Sequence, residues 1–491
     1  MAKKPKVPQK RNSSRLRNQL FAIPALAFVV KLGIIARIQG FDWFAASNGN
    51  MTAGLKTLLD KNYAPSHVWY GADAENYLRS VLGLFRDGFF STERNLHYWP
   101  AGYPILIWMV GLVGQGSMLA LVAVLQSLLY FAACAFFVNE IRQSRLVNFS
   151  WPIALFLTFN PTLALNTIAI AYELPTASFT LISVAALMRK VRIGTTRVCD
   201  NNLMIAAASF ALATFMQPRL ALLALVFFVI WSLSKFPIKS AALALVVSMS
   251  IVVIGPGIMM FRNSQAMGFT AISTNLGVTM NIGAGDEATG GYNGKYNGVP
   301  CPEAVGNEAQ VDSAKVKCVI TWYAKNPGKF VKLSWNKAIY YWSPWFGPVA
   351  NGTMARNPWR VNHPLNETIK EQSGINTVYG NTGKLVSWMW LLGGLFLLFW
   401  GTRFLWLAGG AEKLWGLSAF TLVMLNWLSS IATIGDHRFR IPTMTLSVTL
   451  QAIGLASLLI SKRRRLVGSA TEVRWPGLHW KRGPETDNLQ P

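Results

Sequence analysis

The sequence predicts an all-α polytopic membrane protein of about ten transmembrane helices, with amphipathic interfacial helices in its first outer loop and a small extracytoplasmic lobe. Three observations carry that prediction. Of 491 residues, 52% are hydrophobic and only 14% charged, well below the roughly 25% charged residues of soluble chains. The mean hydropathy is +0.32. The 19 tryptophans supply indoles of the kind that settle at membrane interfaces. Together these exclude an intrinsically disordered chain and a cytosolic enzyme. The formal net charge of +25 would suggest nucleic acid in a soluble protein. In a membrane chain it reads as basic cytoplasmic loops, and no nucleic-acid partner is expected.

The N-terminal stretch MAKKPKVPQKRNSSRLRNQ is basic and has no acid. It precedes an apolar run, 20–38, that is long for a signal peptide and is followed by no small-residue cleavage site. A retained signal anchor is expected there, behind a basic cytoplasmic tail, 1–19. Further spans are expected at 117–138, 151–172, 174–188, 203–217, 219–234, 240–260, 384–404, 414–434 and 441–460. The piece from Tyr103 to Val113 is too short and Gly-broken to span, and is placed as an interfacial helix.

With the N-terminus inside, the cytoplasmic segments hold just over half of the Lys and Arg but under a third of the acids, as the orientation rule requires. A spanning 103–113 would put RKVRIGTTR outside and invert the bias. The map gives an N-terminal transmembrane module, 20–260, with an outer loop at 39–116. An extracytoplasmic lobe, 261–383, follows, then C-terminal transmembrane helices, 384–460, and a basic tail, 461–491. Lys462-Arg463-Arg464-Arg465 suits an anionic membrane surface. The expected location is the inner cell membrane, with both termini cytoplasmic and the chemistry on the outer face. Cys301 and Cys318 share the outer lobe, as a disulfide or as two thiols. No Cys/His spacing of the zinc type occurs.

The helix interiors are almost free of ionisable groups, Lys31 and Arg37 excepted, whereas ion-coupled transport needs such groups at mid-membrane. Charged residues gather instead at the outer helix ends. Asp73 opens an amphipathic helix carrying Leu78, Val81, Leu82 and Phe85; it either caps that helix or acts as a base above the headgroups. His97 and Tyr98 lie in HYWPAGYP, where substrate contact and a rigid turn are both open. Glu173 stands at the junction of two spans, facing a polar cavity or favoured by the N-terminus of the next helix. Arg219, Arg262, Arg438 and Arg440 occupy short outer turns, where basic residues are disfavoured. Arg438 and Arg440, with neighbouring His437 and a Pro-started helix, form a candidate phosphate site; anchoring to anionic lipid is the other reading. The stretch FTAISTNLGVTMNIGAGDEATGGY carries no nucleotide-binding pattern.

GADAENYLRSVLGLFRDG, YWPAGYP and AYELP, taken in order, are similar to polytopic GT-C glycosyltransferases, and most closely resemble the protein mannosyltransferase and lipid A aminoarabinose transferase branch. FRNSQAMGFTAISTNLG and HRFRIP look like the arginine-bearing segments of bacterial members. The resemblance covers most of residues 20–460. It implies an inverting glycosyltransferase that moves a sugar from a polyprenyl-phosphate donor to a glycan, lipid or protein acceptor at the outer face. By the same resemblance Asp73 is the general base and Glu173 a second carboxylate. Arg219, Arg262, Arg438 and Arg440 would hold the lipid phosphate as leaving group. The adjacent Asp-Glu pair of protein mannosyltransferases is missing, which leaves the acceptor class, and any use of a divalent metal, open. A flippase for lipid-linked sugars and a non-catalytic export or assembly subunit are the competing classes. Asn351-Gly-Thr and Asn366-Glu-Thr are sequons in the outer lobe.

Overall fold

The computed structural model describes residues 12–38, 50–59, 73–291, 298–342 and 381–467. Among the described residues every regular element is helical. The two sequons and the N-terminal basic cluster up to residue 11 fall outside them, as do the side chains of Arg37 and of Lys462-Arg463-Arg464-Arg465.

Among the described residues, five helical stretches are long and apolar enough to cross a membrane: Gly102–Arg142, Ile238–Met267, Leu391–Ala408, Gly410–Ile431 and Arg438–Ile460. Four shorter apolar helices, Phe21–Gly33, Val147–Phe159, Asn201–Met216 and Leu220–Lys235, fall below that length. The chain is an all-α membrane protein on these helices.

In chain order the first elements are α1 (Asn12–Ile38), α2 (Met51–Leu59), α3 (Ala74–Asp87), α4 (Asn95–Tyr98), α5 (Gly102–Gly114) and α6 (Met118–Arg142). The segment expected as an interfacial helix is α5, and it doubles back on α6. The reversal is made at Gln115, whose φ is 42°. Two glycines permit the close approach. A Cβ on Gly111 would lie 2.5 Å from Met118 Sδ, and one on Gly114 would lie 2.4 Å from Leu121 Cδ1. At the open end of this hairpin the Tyr103 hydroxyl donates to Gln126 Oε1 at 2.8 Å. The apolar face of α3, expected to rest on lipid, packs instead against α2 and α5. Tyr77, Leu78, Val81 and Leu84 are buried there, while Arg79 remains exposed.

The expected span at 151–172 is not one helix. It divides into α7 (Ser150–Phe159) and α8 (Pro161–Asn166), followed by irregular chain. Pro161 has no N–H to continue the α7 ladder and forces the preceding residue out of helical backbone. Asn160 accordingly has φ −62° and ψ 120°, and its side chain accepts from the Leu163 N–H at 3.1 Å, starting α8.

Then come α9 (Glu173–Ile193), α10 (Asn201–Met216), α11 (Leu220–Lys235), α12 (Ile238–Val252) and α13 (Ile254–Met267). The break between the last two has a proline cause as well. Pro256 cannot donate to the Val252 carbonyl, which accepts instead from Thr214 Oγ1 on α10 at 3.0 Å.

The segment after α13 supplies α14 (Leu276–Ile282), α15 (Glu308–Lys325) and α16 (Pro327–Trp342). Asn307 and Gln310 form a reciprocal capping box at the start of α15. Cys301 and Cys318 are bonded, with their Cα atoms 6.0 Å apart. Lys337 on α16 is buried, and its ammonium donates to the Tyr323 hydroxyl at 2.9 Å. Burial lowers its pKa from 10.5 to about 8. Between pH 8 and 10.5 the unfolded chain therefore binds the proton that the folded chain has released, so stability rises with pH across that window. Below about pH 8 the folded state carries the whole penalty. Lys337→Met should raise thermal stability at pH 7, by up to ~3 kcal/mol, and flatten the rise between pH 8 and 10.5. Scanning fluorimetry of both proteins across that range checks it.

The last three helices are α17 (Asn381–Ala408), α18 (Gly410–Ile431) and α19 (Ile441–Val467). Buried α9 and α19 form the spine. The first packs on α6, α10 and α19, the second on α7, α17 and α18. Small residues let these backbones meet, as in other membrane bundles. Gly401 and Gly454 face backbone so closely that a Cβ would fall 2.0 Å from Leu450 O and 2.2 Å from Leu397 O. Interhelical hydroxyl bonds add to this, such as Ser183 Oγ to Ala206 O at 2.8 Å.

Candidate functional site

Three helix starts meet at one end of the spine. Tyr172 caps α9, Arg219 caps α11, and Arg438 and Phe439 lie in the single 3-10 turn that leads into α19. All four line a cavity of about 590 Å³, together with Tyr77 and Trp99. A helix N-terminus presents free N–H groups and a partial positive charge, so three of them around one space favour an anion.

Asp73 precedes α3, and its side chain makes no capping bond to that helix. Its carboxylate instead accepts from Arg438 Nη1, pairing residues 365 positions apart. Arg438 is fixed from its other side by Asp436. That carboxylate accepts from the Arg438 N–H at 2.9 Å and lies 3.6 Å from Nε. Arg219 lies over the Phe439 ring, 4.3 Å from its centroid, and donates to the Phe439 carbonyl at 3.1 Å. With the Gln217 amide turned to accept, its oxygen stands 2.6 Å from Arg219 Nε and 3.0 Å from Nη2.

Glu173 is the first residue of α9 and is buried. It acts electrostatically on Tyr77, Tyr172, Arg219 and Arg438. Neither Asp73 nor Glu173 is among the lining residues; Asp73, its side chain 16% exposed, adjoins the cavity through Arg438, and Glu173 is buried. The tyrosines mediate. Tyr77, Tyr103 and Tyr172 meet edge to face, with centroids 5.3 Å, 6.0 Å and 6.4 Å apart. Burial holds the Tyr77 phenol well above its ordinary pKa and pushes Tyr172 up to about 12, the nearby carboxylates acting the same way. Both stay neutral hydrogen-bond donors near neutral pH.

The other candidates lie elsewhere. Arg262 is wholly buried, and its guanidinium donates to the carbonyls of Phe89 (3.0 Å), Leu96 (3.4 Å) and Ser91, and to Asn263 Oδ1 (2.7 Å). It ties down the loop between α3 and α4. Arg440 donates to the Tyr341 and Trp342 carbonyls at 3.2 Å and 3.1 Å, joining α16 to the start of α19. His97 is buried with Nε2 2.8 Å from Glu308, and its carbonyl accepts from the Thr274 N–H at 2.9 Å. Burial lowers the His97 pKa despite the pull of Glu308. Tyr98 packs against Trp99, and Arg94 lies over its ring. The side chain of His437 falls outside the described residues.

Reading along the sequence passed over two acids. Asp436 was visible as the start of a short capping turn, two residues before Arg438. Asp312 lines the cavity from α15 and accepts from the Gly277 N–H at 2.7 Å. Burial raises its pKa. Nothing in the surrounding sequence marks it. Among the described residues no group of three or more His, Cys, Asp or Glu side chains stands ready to hold a metal ion.

No protein-family model and no curated protein matches the chain. Solved structures with partial likeness include the archaeal oligosaccharyltransferase AglB from Archaeoglobus fulgidus in complex with an inhibitory peptide and a dolichol-phosphate. It has a TM-score of 0.47 and 12% identity over 95% of this chain and 53% of that one. The Archaeoglobus fulgidus oligosaccharyltransferase in its apo form gives 0.46 and 12%, over 94% and 53%. The chain thus spans about half the length of these structures. A likeness of this strength settles neither ancestry nor activity. Both are oligosaccharyltransferases and not members of the branch that the sequence motifs resemble.

Proposed function

We propose that the protein is a GT-C-type inverting glycosyltransferase, working at the extracytoplasmic face of the inner membrane with a polyprenyl-phosphate sugar as donor. The observation that carries this reading is the Asp73–Arg438 pair at a cavity ringed by three helix N-termini and a second guanidinium, Arg219. A carboxylate held by an arginine is a weak base. When the donor phosphate enters, it competes for Arg438 and releases Asp73. The acceptor then attacks the anomeric carbon from the face opposite the phosphate. Asp73 takes the acceptor proton, the carbon–oxygen bond to phosphate breaks, and Arg438 and Arg219 balance the charge left on the polyprenyl phosphate. Glycan, lipid and protein acceptors all satisfy this scheme, and so does a divalent metal on the donor phosphate. Arg262 and Arg440 take no part in it, since their guanidinium groups are bound to the protein's own carbonyls, and His97 lies beside Glu308 away from the cavity lining.

The test is transfer by the purified protein in nanodiscs, with radiolabelled polyprenyl-phosphate sugars and a membrane extract as acceptor. Label should move to a new product. Arg438→Ala should weaken donor binding by about tenfold or more, the range of a lost charge-assisted contact. Wild-type donor affinity should fall as salt rises, and that dependence should shrink in the variant. Unchanged donor affinity in Arg438→Ala would remove Arg438 from the site. Tight donor binding without transfer to any acceptor would favour a flippase.

A further inference from the structure

The helices that frame this cavity frame a second one at their other ends. Along α9 the distance from Glu173 to Arg192 is about 28 Å, along α18 from Ser429 back to Glu412 about 25 Å, and along α11 from Arg219 to Trp231 about 18 Å, at 1.5 Å per residue. The two cavities thus lie toward opposite ends of the same three helices. The second has a volume of about 350 Å³ and is lined by Glu140, Arg145, Arg192, Trp231, Glu412 and Trp415, among others.

Its polar groups are only partly satisfied from within. Glu140 is buried and paired with Arg192, at 2.9 Å to Nε and 2.8 Å to Nη2. Glu412 is 4% exposed as a residue, and among the described residues its carboxylate has neither an ion pair nor a hydrogen bond. Trp231 and Trp415 are buried as well; among the described residues their indole N–H groups find no acceptor, and the Lys190 ammonium already lies 5.7 Å from the Trp231 ring centroid. Arg145 stands exposed at the rim. The cavity therefore offers a carboxylate without an ion pair, the Trp415 ring, which favours a cation on its face, and the guanidinium donors of Arg145 and Arg192 for an oxygen acceptor. A buried carboxylate without a counter-charge is costly.

We propose that this cavity binds the phosphoethanolamine headgroup of a membrane phospholipid. The primary ammonium meets Glu412 beside the Trp415 ring, and the phosphate oxygens accept from Arg145 and the outer edge of Arg192. The volume fits one headgroup and not a sugar-bearing carrier. Exposed Leu233, Trp406 and Leu407 belong to the same end of the bundle, which favours a ligand with acyl chains over free phosphoethanolamine. Phosphatidylcholine fills the place poorly, because its quaternary nitrogen has no N–H to give to Glu412. The site stands apart from the proposed transfer chemistry and does not depend on it.

The full-length protein, delipidated in detergent, would be offered phosphatidylethanolamine, phosphatidylcholine and phosphatidylglycerol, and bound lipid read by native mass spectrometry with thermal stability alongside. The expected result is retention of phosphatidylethanolamine about tenfold better than of either competitor, with soluble phosphoethanolamine displacing it only in large excess. Glu412→Gln should bring the preference over phosphatidylcholine close to one. Should that variant not fold, Arg145→Ala, at an exposed position, and Trp415→Phe, which exchanges the indole for a smaller ring that holds a cation less well, should each weaken phosphatidylethanolamine retention several-fold. Equal retention of the three lipids, or a preference that survives Glu412→Gln, would overturn the proposal. An unchanged retention in both Arg145→Ala and Trp415→Phe would do the same. Displacement by soluble phosphoethanolamine at lipid-equivalent concentration would overturn the assignment to a lipid.

Discussion

Asp73→Asn is expected to abolish sugar transfer, with a loss of at least about 100-fold, the lower range for removal of a general base. The amide keeps the shape of the carboxylate and can still accept a bond from Arg438, so the fold should survive. Donor binding should hold or tighten by a few-fold, because Arg438 no longer has to leave a carboxylate to reach the phosphate. That combination separates catalysis from architecture. If Asp73 served only to brace Arg438, the amide would lower thermal stability while the correctly folded fraction kept its turnover. Asp73→Glu provides a second reading, since it retains a base displaced by one methylene and should recover part of the activity. Full transfer by Asp73→Asn would move the base elsewhere, with Glu173 the next to replace.

Hydrophobic runs made most helices of this chain legible, because a span is a local property: length and composition are enough. The exceptions have local causes too. Pro161 divides 151–172 and Pro256 bends 240–260, and both prolines stand in the sequence at the break. Their effect is hidden because an apolar run can tolerate a proline wherever a neighbour satisfies the freed carbonyl, as Thr214 does for Val252. Pairing across the chain was not legible. Asp73 and Arg438 were each singled out, one as a base and the other as a phosphate ligand, yet no local pattern tells that they touch. Asp312 shows the same limit from the other side: its neighbours are those of an ordinary surface helix, and only packing of α14 against α15 turns it toward the cavity. Arginines in short turns between apolar runs signal unusual placement, since each one is bound or buried. The signal could not say whether a guanidinium faces a ligand or the protein's own carbonyls.

Arg262 is where that ambiguity has the largest structural consequence. As a phosphate ligand, it could be replaced by an uncharged side chain with loss of donor binding and little loss of stability. The geometry predicts the reverse. Its guanidinium satisfies three backbone carbonyls, those of Phe89 and Ser91 in the loop between α3 and α4 and that of Leu96 in α4, in a place without access to water. A methionine would fill much of the volume but leave those carbonyls unpaired, each costing ~1–3 kcal/mol. Arg262→Met should therefore destabilise the protein by ~3–5 kcal/mol, the range for breaking a buried charged contact. The damage should begin locally, in the segment that carries His97 and Trp99. Limited proteolysis should cut there before global unfolding, and the Trp emission should change at a lower temperature than in wild type. Donor affinity, measured on the folded fraction at low temperature, should fall only as far as Trp99 is displaced from the cavity. Arg262→Lys offers three donors from one point in place of a planar fork spread over the loop, and should restore less than half of the lost stability. Wild-type stability in Arg262→Met, together with lost donor binding, would instead return this arginine to the phosphate site.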